Sequence, residues 1–387
     1  MIIGIDTTNI RSNGGLTYLK EFVNNLDSSI IGNGKVIIWL TKSMSNQIKD
    51  RDYIVKIICK ELDGSLFKRF FWQIVKLKKE VEKEKCDIIF VMGGVLLRSE
   101  GKRFVTINQN LLPFEFKELL RYGFSKKTIK LLLLRWLNIY TFNRSKGVIF
   151  LSEYAKNCVN KIVDKNKTRG IKKSIVIPHS GNYYHLSDRK QLNIRDLSFS
   201  NPYNITYISS IEPYKHHIRV IEAISILREK GLPVEINIVG GGCNKRSLDL
   251  LKDTIKVLDP MKKWINLYNE VDYNEIGAIY NKIDLMIHAS TCETFGIPIM
   301  EALRSGIPVV CSNRSSMNSI FGDKVFYFDP LSRSSIVDVL MSVIKSPNLR
   351  QVQSERAFNY MEECTWRSVS VDTYNFITSC VEVDAYE

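Results

Sequence analysis

The sequence predicts an α/β protein built from two doubly wound domains, each a parallel sheet covered by helices. Three observations carry this. Apolar runs of strand length alternate with amphipathic segments of helical period along almost the whole chain. A polar stretch from about Ser180 to Pro202 shows neither period and divides the alternation into halves. The length of 387 residues suits roughly two domains, each able to bury a core.

In order, the strand candidates of the first half are IIGID, KVIIWL, YIVKII, CDIIFV, RFVTIN, GVIFLS and SIVIPH, with the amphipathic LTYLKEFVNNL after the first. The second half offers NITYISS, VEINIVG, DLMIHAS, IPVVCS and VFYFDP, with YKHHIRVIEAISILREKG after its first strand. In two such domains, ligands are expected at the carboxyl ends of the strands and in a cleft between the domains.

Composition narrows the class. Hydrophobic residues at 44% and charged residues at 25% are ordinary for a soluble globular chain. The chain opens on the strand-like IIGID, so no signal peptide is expected. The most apolar stretch, IKLLLLRWLNIY, is interrupted by Lys130 and Arg135 and should not span a bilayer. Eight cysteines show neither C-x-x-C pairs nor zinc spacing with the five histidines, which predicts reduced thiols and no metal. A net charge of +14 calls for an anionic partner: nucleic acid, a membrane surface or a phosphorylated substrate.

The most informative stretch is TCETFGIPIMEALRSGIPVVCS, residues 291–312. It reads as the end of a strand, a glycine loop, a helix opened by Pro298 and stopped at Gly306, then a strand. Glu293 is expected on the loop and Glu301 in the first helical turn, both facing one crevice. The N–H groups of Gly296 and Ile297 are then available to a phosphate or another electron-rich group. A bare pair of glutamates would read as two solvated charges. The glycine, the proline and the flanking strands, all in register, favour a site.

Three further loops use the same strand-to-helix position. NIRSNGGLTY (9–18) places Gly14 and Gly15 at a helix start, which suits either a surface turn or close backbone approach to a ligand. It lacks G-x-G-x-x-G, which argues against a nicotinamide enzyme. SSIEPYKHH (209–217) places Lys215 in the first turn of a helix opened by Pro213. A cation there opposes the helix dipole unless it neutralises a bound anion. IVGGGCNK (238–245) brings three glycines close to a ligand or to a neighbouring loop. His179 and His288 end strands, where a core role is the more frequent one. Two basic segments, FKRFFWQIVKLKK (67–79) and FSKKTIKLLLLRWLNIYTFNRSKG (124–147), wrap as helices with an apolar strip beside Lys and Arg. Phe70, Phe71, Trp72 and Trp136 add aromatic bulk, and together with the net charge these segments predict peripheral contact with anionic lipid.

SSIEPYKHHIRVIEA, VEINIVGGG, HASTCETFGIPIMEALRSGIPVVCSN and VFYFDP, in that order, resemble the C-terminal half of retaining glycosyltransferases of family 4, which have the GT-B fold. Glu-Thr-Phe-Gly-Ile-Pro-x-x-Glu-Ala is the most specific piece. FLSEYAKNCV and SIVIPHSG resemble the end of the family's first domain, and CTWRSVSVDTYNFI its closing helix. The resemblance covers roughly 145–330, while the first 145 residues share only the outline and the Gly14-Gly15 loop. It implies an acceptor-binding domain at 1–185, a nucleotide-sugar-binding domain at 186–365 facing it across a cleft, and a helix at 366–387 crossing back.

The resemblance implies site roles as well. Glu293 contacts the donor sugar near the reacting carbon, and Lys215 neutralises the leaving diphosphate. Glu301 binds the ribose hydroxyls. The backbones of Thr294, Phe295, Gly296 and Ile297, with Ser210, Gly241 and Val271, line the nucleotide-sugar site, and Gly15 approaches the diphosphate beside Gly14. Asn110 and Ser152 fall on the acceptor side. The family often carries arginines where Ser210 and Tyr214 stand here, so the second diphosphate cation is left to Arg219, Lys245 or Arg246.

The expectation is therefore a retaining, metal-independent transferase without a cofactor. It moves a hexose-type sugar from a nucleoside-diphosphate sugar to a hydroxyl of a lipid-linked saccharide in bacterial surface polysaccharide assembly. It works on the cytoplasmic face of the membrane and binds no nucleic acid. The alternatives are a sugar-nucleotide epimerase of the same fold, or a basic nucleic-acid-binding protein, for which no RNP-like run, zinc spacing or helix-turn-helix signal is found.

Overall fold

The computed structural model describes residues 1–10, 14–98, 103–165, 170–181, 197–242, 244–269, 271 and 276–382. Arg11–Asn13 of the first glycine loop, Cys243 of the third, and residues 182–196 of the polar stretch lie outside them. By its contacts the chain forms two units. The first comprises Met1–Phe116, Phe124–His179 and Thr365–Glu387; the second, Lys117–Gly123 and Ser180–Cys364.

The first unit is built on seven parallel strands: β1 (Ile2–Asp6), β2 (Lys35–Leu40), β3 (Ile54–Ile58), β4 (Ile88–Val91), β5 (Phe104–Asn108), β6 (Gly147–Phe150) and β7 (Ser174–Val176). Their order is β3-β2-β1-β4-β5-β6-β7. The near-continuous Val/Ile runs of β2, β4 and β5 are what a sheet buried on both faces requires. Trp39 of β2 packs with Trp72, Val81 and Phe104 in one core cluster. The closing helix Trp366–Glu382 belongs to this unit. It lies along the helix Gly14–Asn24, where the Tyr18 hydroxyl and Thr373 Oγ1 are 2.9 Å apart.

The second unit has six parallel strands: β8 (Tyr203–Ile208), β9 (Val234–Val239), β10 (Ile265–Tyr268), β11 (Leu285–His288), β12 (Val309–Ser312) and β13 (Phe326–Phe328). They are ordered β10-β9-β8-β11-β12-β13. Ile205, Ile236, Ile287 and Val310 form a core with Val220, Ile224 and Leu340 of the covering helices. β10 is a strand the sequence pattern did not predict. It sits at a sheet edge with only Ile265 fully buried, so its apolar signal is weak.

In both units the strand order reverses between the first and fourth strands, which makes the doubly wound topology predicted from the βα alternation. In the second unit this switch point lies between β8 and β11. The loops leaving those two strands meet there, the Thr291 N–H donating to the Tyr214 carbonyl at 2.9 Å, at the position where doubly wound sheets bind their ligands.

Candidate functional site

The loop after β8 does not form the single helix that Pro213 suggested. Pro213–Lys215 is a separate 3-10 turn. His216 then takes a left-handed conformation (φ 52°), and the helix His217–Glu229 begins behind it. Lys215 is therefore outside the helix, and the conflict with the helix dipole disappears. The Tyr207 hydroxyl of β8 holds the turn by donating to the Lys215 carbonyl at 2.7 Å. Lys215 itself is buried, with its Nζ 5.4 Å from the centre of the Tyr214 ring.

Its charge is met by Glu293, on the loop after β11. The Lys215 ammonium donates to Glu293 Oε1. His288, the last residue of β11, brings Nε2 to the same oxygen at 2.9 Å. Burial opposes ionisation of Glu293. The Lys215 charge and the His288 hydrogen bond outweigh it and hold the carboxyl below its ordinary range. Burial also lowers the His288 pKa despite the carboxylate beside it, so the imidazole is neutral and donates through Nε2. The Glu293 backbone is fixed as well: its N–H donates to Ser315 Oγ at 3.0 Å, and its carbonyl accepts from Ser316 Oγ at 2.7 Å.

Glu301 follows on the helix Ile297–Arg304. It is the fifth residue of that helix, one residue deeper than a start at Pro298 implies, and it is buried. Its Oε2 accepts from the Tyr280 hydroxyl at 2.8 Å. Gly296 precedes the helix at φ 100°, a conformation costly for any residue with a Cβ. Among the described residues, the Gly296 and Ile297 N–H groups have no hydrogen-bond acceptor.

The third glycine loop resolves toward its neighbour. A Cβ on Gly240 (φ 145°) would lie 2.2 Å from the Ser209 carbonyl oxygen, and the Ile211 N–H donates to the Gly241 carbonyl at 3.0 Å. The glycines thus press the loop after β9 onto the loop after β8, bringing Ser210 and Gly241 together. Thr294 is half-buried beside Glu293, and Val271 is half-buried past the end of β10. The Phe295 side chain is turned into the core against Phe321, so only its backbone is left for a ligand. Of the candidate second cations, Arg219 is directed to the Leu331 carbonyl at 3.0 Å. Lys245 and Arg246 are exposed in the first turn of the helix Lys245–Leu258.

In the first unit, Gly14 and Gly15 open the helix Gly14–Asn24, and a Cβ on Gly15 would lie 3.3 Å from Gln109 Oε1. Asn110 Oδ1 accepts from the Leu112 N–H at 3.1 Å. Ser152 is buried and its hydroxyl accepts the Ala155 N–H at 3.2 Å, capping the helix Glu153–Lys165, which is a structural task. His179 is a core histidine: its ring lies 4.6 Å from Tyr18, and burial lowers its pKa to about 3.

His288 was ranked with the core histidines by sequence, yet it is a partner of Glu293. The only signal was its place at the end of the strand that leads into Glu293. Two further pins were not visible at all. The Tyr122 hydroxyl donates to Glu212 Oε2 at 2.7 Å, and Thr291 Oγ1 donates to Glu118 Oε2. The segment Lys117–Gly123 thereby fastens both site loops within the second unit.

Residues 188–360 match the family described as glycosyl transferases group 1, and this span contains the Lys215–Glu293–His288 cluster and Glu301. These residues belong to that family. Among curated relatives, the O-antigen chain mannosyltransferase B of Escherichia coli is 24% identical over 173 residues, 44% of this chain and 44% of that protein. The chain thus spans less than half the length of that relative. Among solved structures, sucrose-phosphate synthase of Thermosynechococcus elongatus aligns with a TM-score of 0.77 at 13% identity, covering 100% of this chain and 99% of that one. The Anabaena protein HepE, solved in complex with UDP and glucose, aligns at 0.67 and 15% identity over 98% and 99%. The fold is GT-B, with two Rossmann-like domains. No helix among the described residues is long and apolar enough to cross a membrane.

Proposed function

We propose that this protein is a retaining, metal-independent glycosyltransferase. It moves a hexose-type sugar from a nucleoside-diphosphate sugar to a hydroxyl of a lipid-linked saccharide, in bacterial surface polysaccharide assembly at the inner face of the membrane. The observation that carries the reading is the cluster of Lys215, Glu293 and His288 at the switch point of the second sheet. Unliganded, the cation and the carboxylate neutralise each other. An arriving donor offers each a better partner: its diphosphate takes Lys215, and its sugar hydroxyls take Glu293.

Breaking the bond between the sugar's anomeric carbon and the phosphate oxygen leaves positive charge on the ring and negative charge on the diphosphate. Lys215 and the Gly296 and Ile297 N–H groups stabilise the second, and Glu293 the first. The acceptor hydroxyl then forms the new bond from the face the diphosphate leaves, passing its proton to the departing phosphate oxygen. Glu301, held by Tyr280, receives the ribose hydroxyls. With Lys215 and the N–H groups opposite the phosphates, no metal is required.

The relative that builds O-antigen chains supports a saccharide acceptor, and the neighbour solved with UDP and glucose supports a uridine donor. The test is release of UDP or GDP from sugar donors in EDTA, with and without a membrane lipid extract as acceptor. Glu293→Ala and Lys215→Ala should each lose roughly 100-fold or more in turnover, the scale of a removed electrostatic stabiliser. Near-wild-type turnover in either variant removes that residue from the mechanism. Donor turnover that ignores the acceptor favours the epimerase.

A further inference from the structure

The helix Lys126–Phe142 buries only Leu131 and Phe142 among its large apolar side chains. Its buried residues include Thr128, Asn138 and Thr141, while Ile129, Leu133 and Trp136 face solvent at 70%, 57% and 62% exposure. The helical run from Leu66 repeats the pattern. Phe67, Phe71 and Val75 recur four apart on its outer side, with Phe67 80% exposed, while Gln73 is buried. Both helices belong to the first unit and flank one loop at the end of β4. Gln73 Nε2 donates to the Val95 carbonyl at 3.0 Å, and the next residue, Leu96, gives its N–H to Thr141 Oγ1 at 3.1 Å. Polar side chains on the inner faces hold the helices to the loop, and large apolar side chains are left exposed among lysines on the outer faces.

The charge within these stripes is of one sign, with Lys76 paired to Glu61 from outside and Arg69 buried. Residues 66–79 hold five Lys and Arg, residues 126–142 hold four, and neither span has an Asp or Glu. A soluble monomer rarely exposes runs of large apolar side chains on two neighbouring helices without a use. A second copy of the chain would set like charge against like charge, whereas a bilayer of anionic lipid satisfies both features.

We propose that the outer faces of these two helices insert into an anionic membrane, burying Phe67, Phe71, Val75, Ile129, Leu133 and Trp136 among the acyl chains, with the flanking lysines at the headgroups. This deepens the reading of a lipid-linked acceptor by naming the surface that meets its membrane. It differs from attachment by charge alone because apolar burial holds when salt screens the headgroups.

The chain supplies its own reporter. Of its five tryptophans, Trp39, Trp72, Trp264 and Trp366 are buried and Trp136 alone is exposed. The full-length protein is mixed with phosphatidylcholine vesicles containing or lacking phosphatidylglycerol, at low and high salt. Sedimentation and tryptophan emission are then read. Insertion predicts a blue shift with the anionic vesicles, quenching by brominated acyl chains, and a bound fraction that persists in high salt. Trp136→Phe should bind but lose the shift. Phe71→Glu combined with Leu133→Glu should weaken binding by about tenfold or more, given the transfer energies of large apolar side chains.

Binding with no change in Trp136 emission, fully released by salt, would overturn insertion. So would a blue shift that needs no lipid and tracks a concentration-dependent doubling of mass, which would make a second copy the occupant. Thermal stabilisation by UDP or GDP is measured on the same variants. Its failure with vesicle insertion intact would count against the donor reading and leave the membrane surface standing.

Discussion

Replacing Lys215 with Met asks how much of the second unit's stability rests on one buried ion pair. The Lys215 and Glu293 side chains are 9% and 14% exposed, so removing the ammonium leaves a nearly buried carboxylate short of a cation. Breaking a buried pair from one side costs about 3–5 kcal/mol. His288 still donates to the carboxylate at 2.9 Å, which puts Lys215→Met near the low end. At about 2–4 °C per kcal/mol for a domain of this size, a loss of ~3 kcal/mol lowers the melting midpoint by about 6–12 °C. Lys215→Met/Glu293→Gln leaves no uncompensated charge, so the double variant should recover much of the loss, with a coupling of ~2–3 kcal/mol.

The pH dependence follows with its sign. The folded pKa of Glu293 lies below its ordinary value of 4.5, so its contribution is present above that value and lost as pH falls below it. The wild type should therefore weaken on acidification through this range, and Glu293→Gln should weaken less. In Lys215→Met, burial is opposed only by His288, so the decline should begin at a higher pH. Thermal unfolding followed by circular dichroism across the acid range reads all four proteins. Single variants within about 1 kcal/mol of wild type, or losses that simply add, would refute the pairing.

Three other outcomes follow from the same geometry. Gly240→Ala drives a Cβ to 2.2 Å from the Ser209 carbonyl oxygen at a φ of 145°, so it should cost at least ~1–3 kcal/mol in a melt, without loss of secondary structure at low temperature. Tyr280→Phe removes a hydrogen bond to the Glu301 carboxylate, worth about 1.5–3 kcal/mol, and should both destabilise the protein and weaken nucleoside-diphosphate binding in titration calorimetry. Glu301→Ala should reduce the affinity for UDP or GDP while leaving that for inorganic diphosphate unchanged, because only the ribose is lost.

Much of the fold was legible because its strands are buried on both faces. KVIIWL and VVCS are strands from end to end. The helix opened by Pro298 stops before Gly306, which has φ 70° as its position required. What was not legible depends on partners distant in sequence. Lys215 and Glu293 are 78 residues apart, and Thr291 and Glu118 are 173 apart. No local pattern announces such pairs. The break at His216 escaped because a left-handed histidine between two helical segments carries no compositional mark. The Lys126–Phe142 helix shows a subtler limit. Its periodicity gives an apolar strip but does not say how much of that strip faces in, and here Thr128, Asn138 and Thr141 share the inner side with only Leu131 and Phe142.

The central claim is that the loops at the ends of β8 and β11 bind a nucleoside-diphosphate sugar through Lys215 and Glu293, with Glu301 on the helix that follows. The most direct measurement is the melting temperature of the purified protein in EDTA against UDP, GDP, NAD and a short oligonucleotide, with Lys215→Met run beside it. The account predicts an upward shift with one nucleoside diphosphate, growing with its concentration and lost in Lys215→Met. A shift produced only by NAD or the oligonucleotide, or an equal nucleotide shift in Lys215→Met, would contradict it.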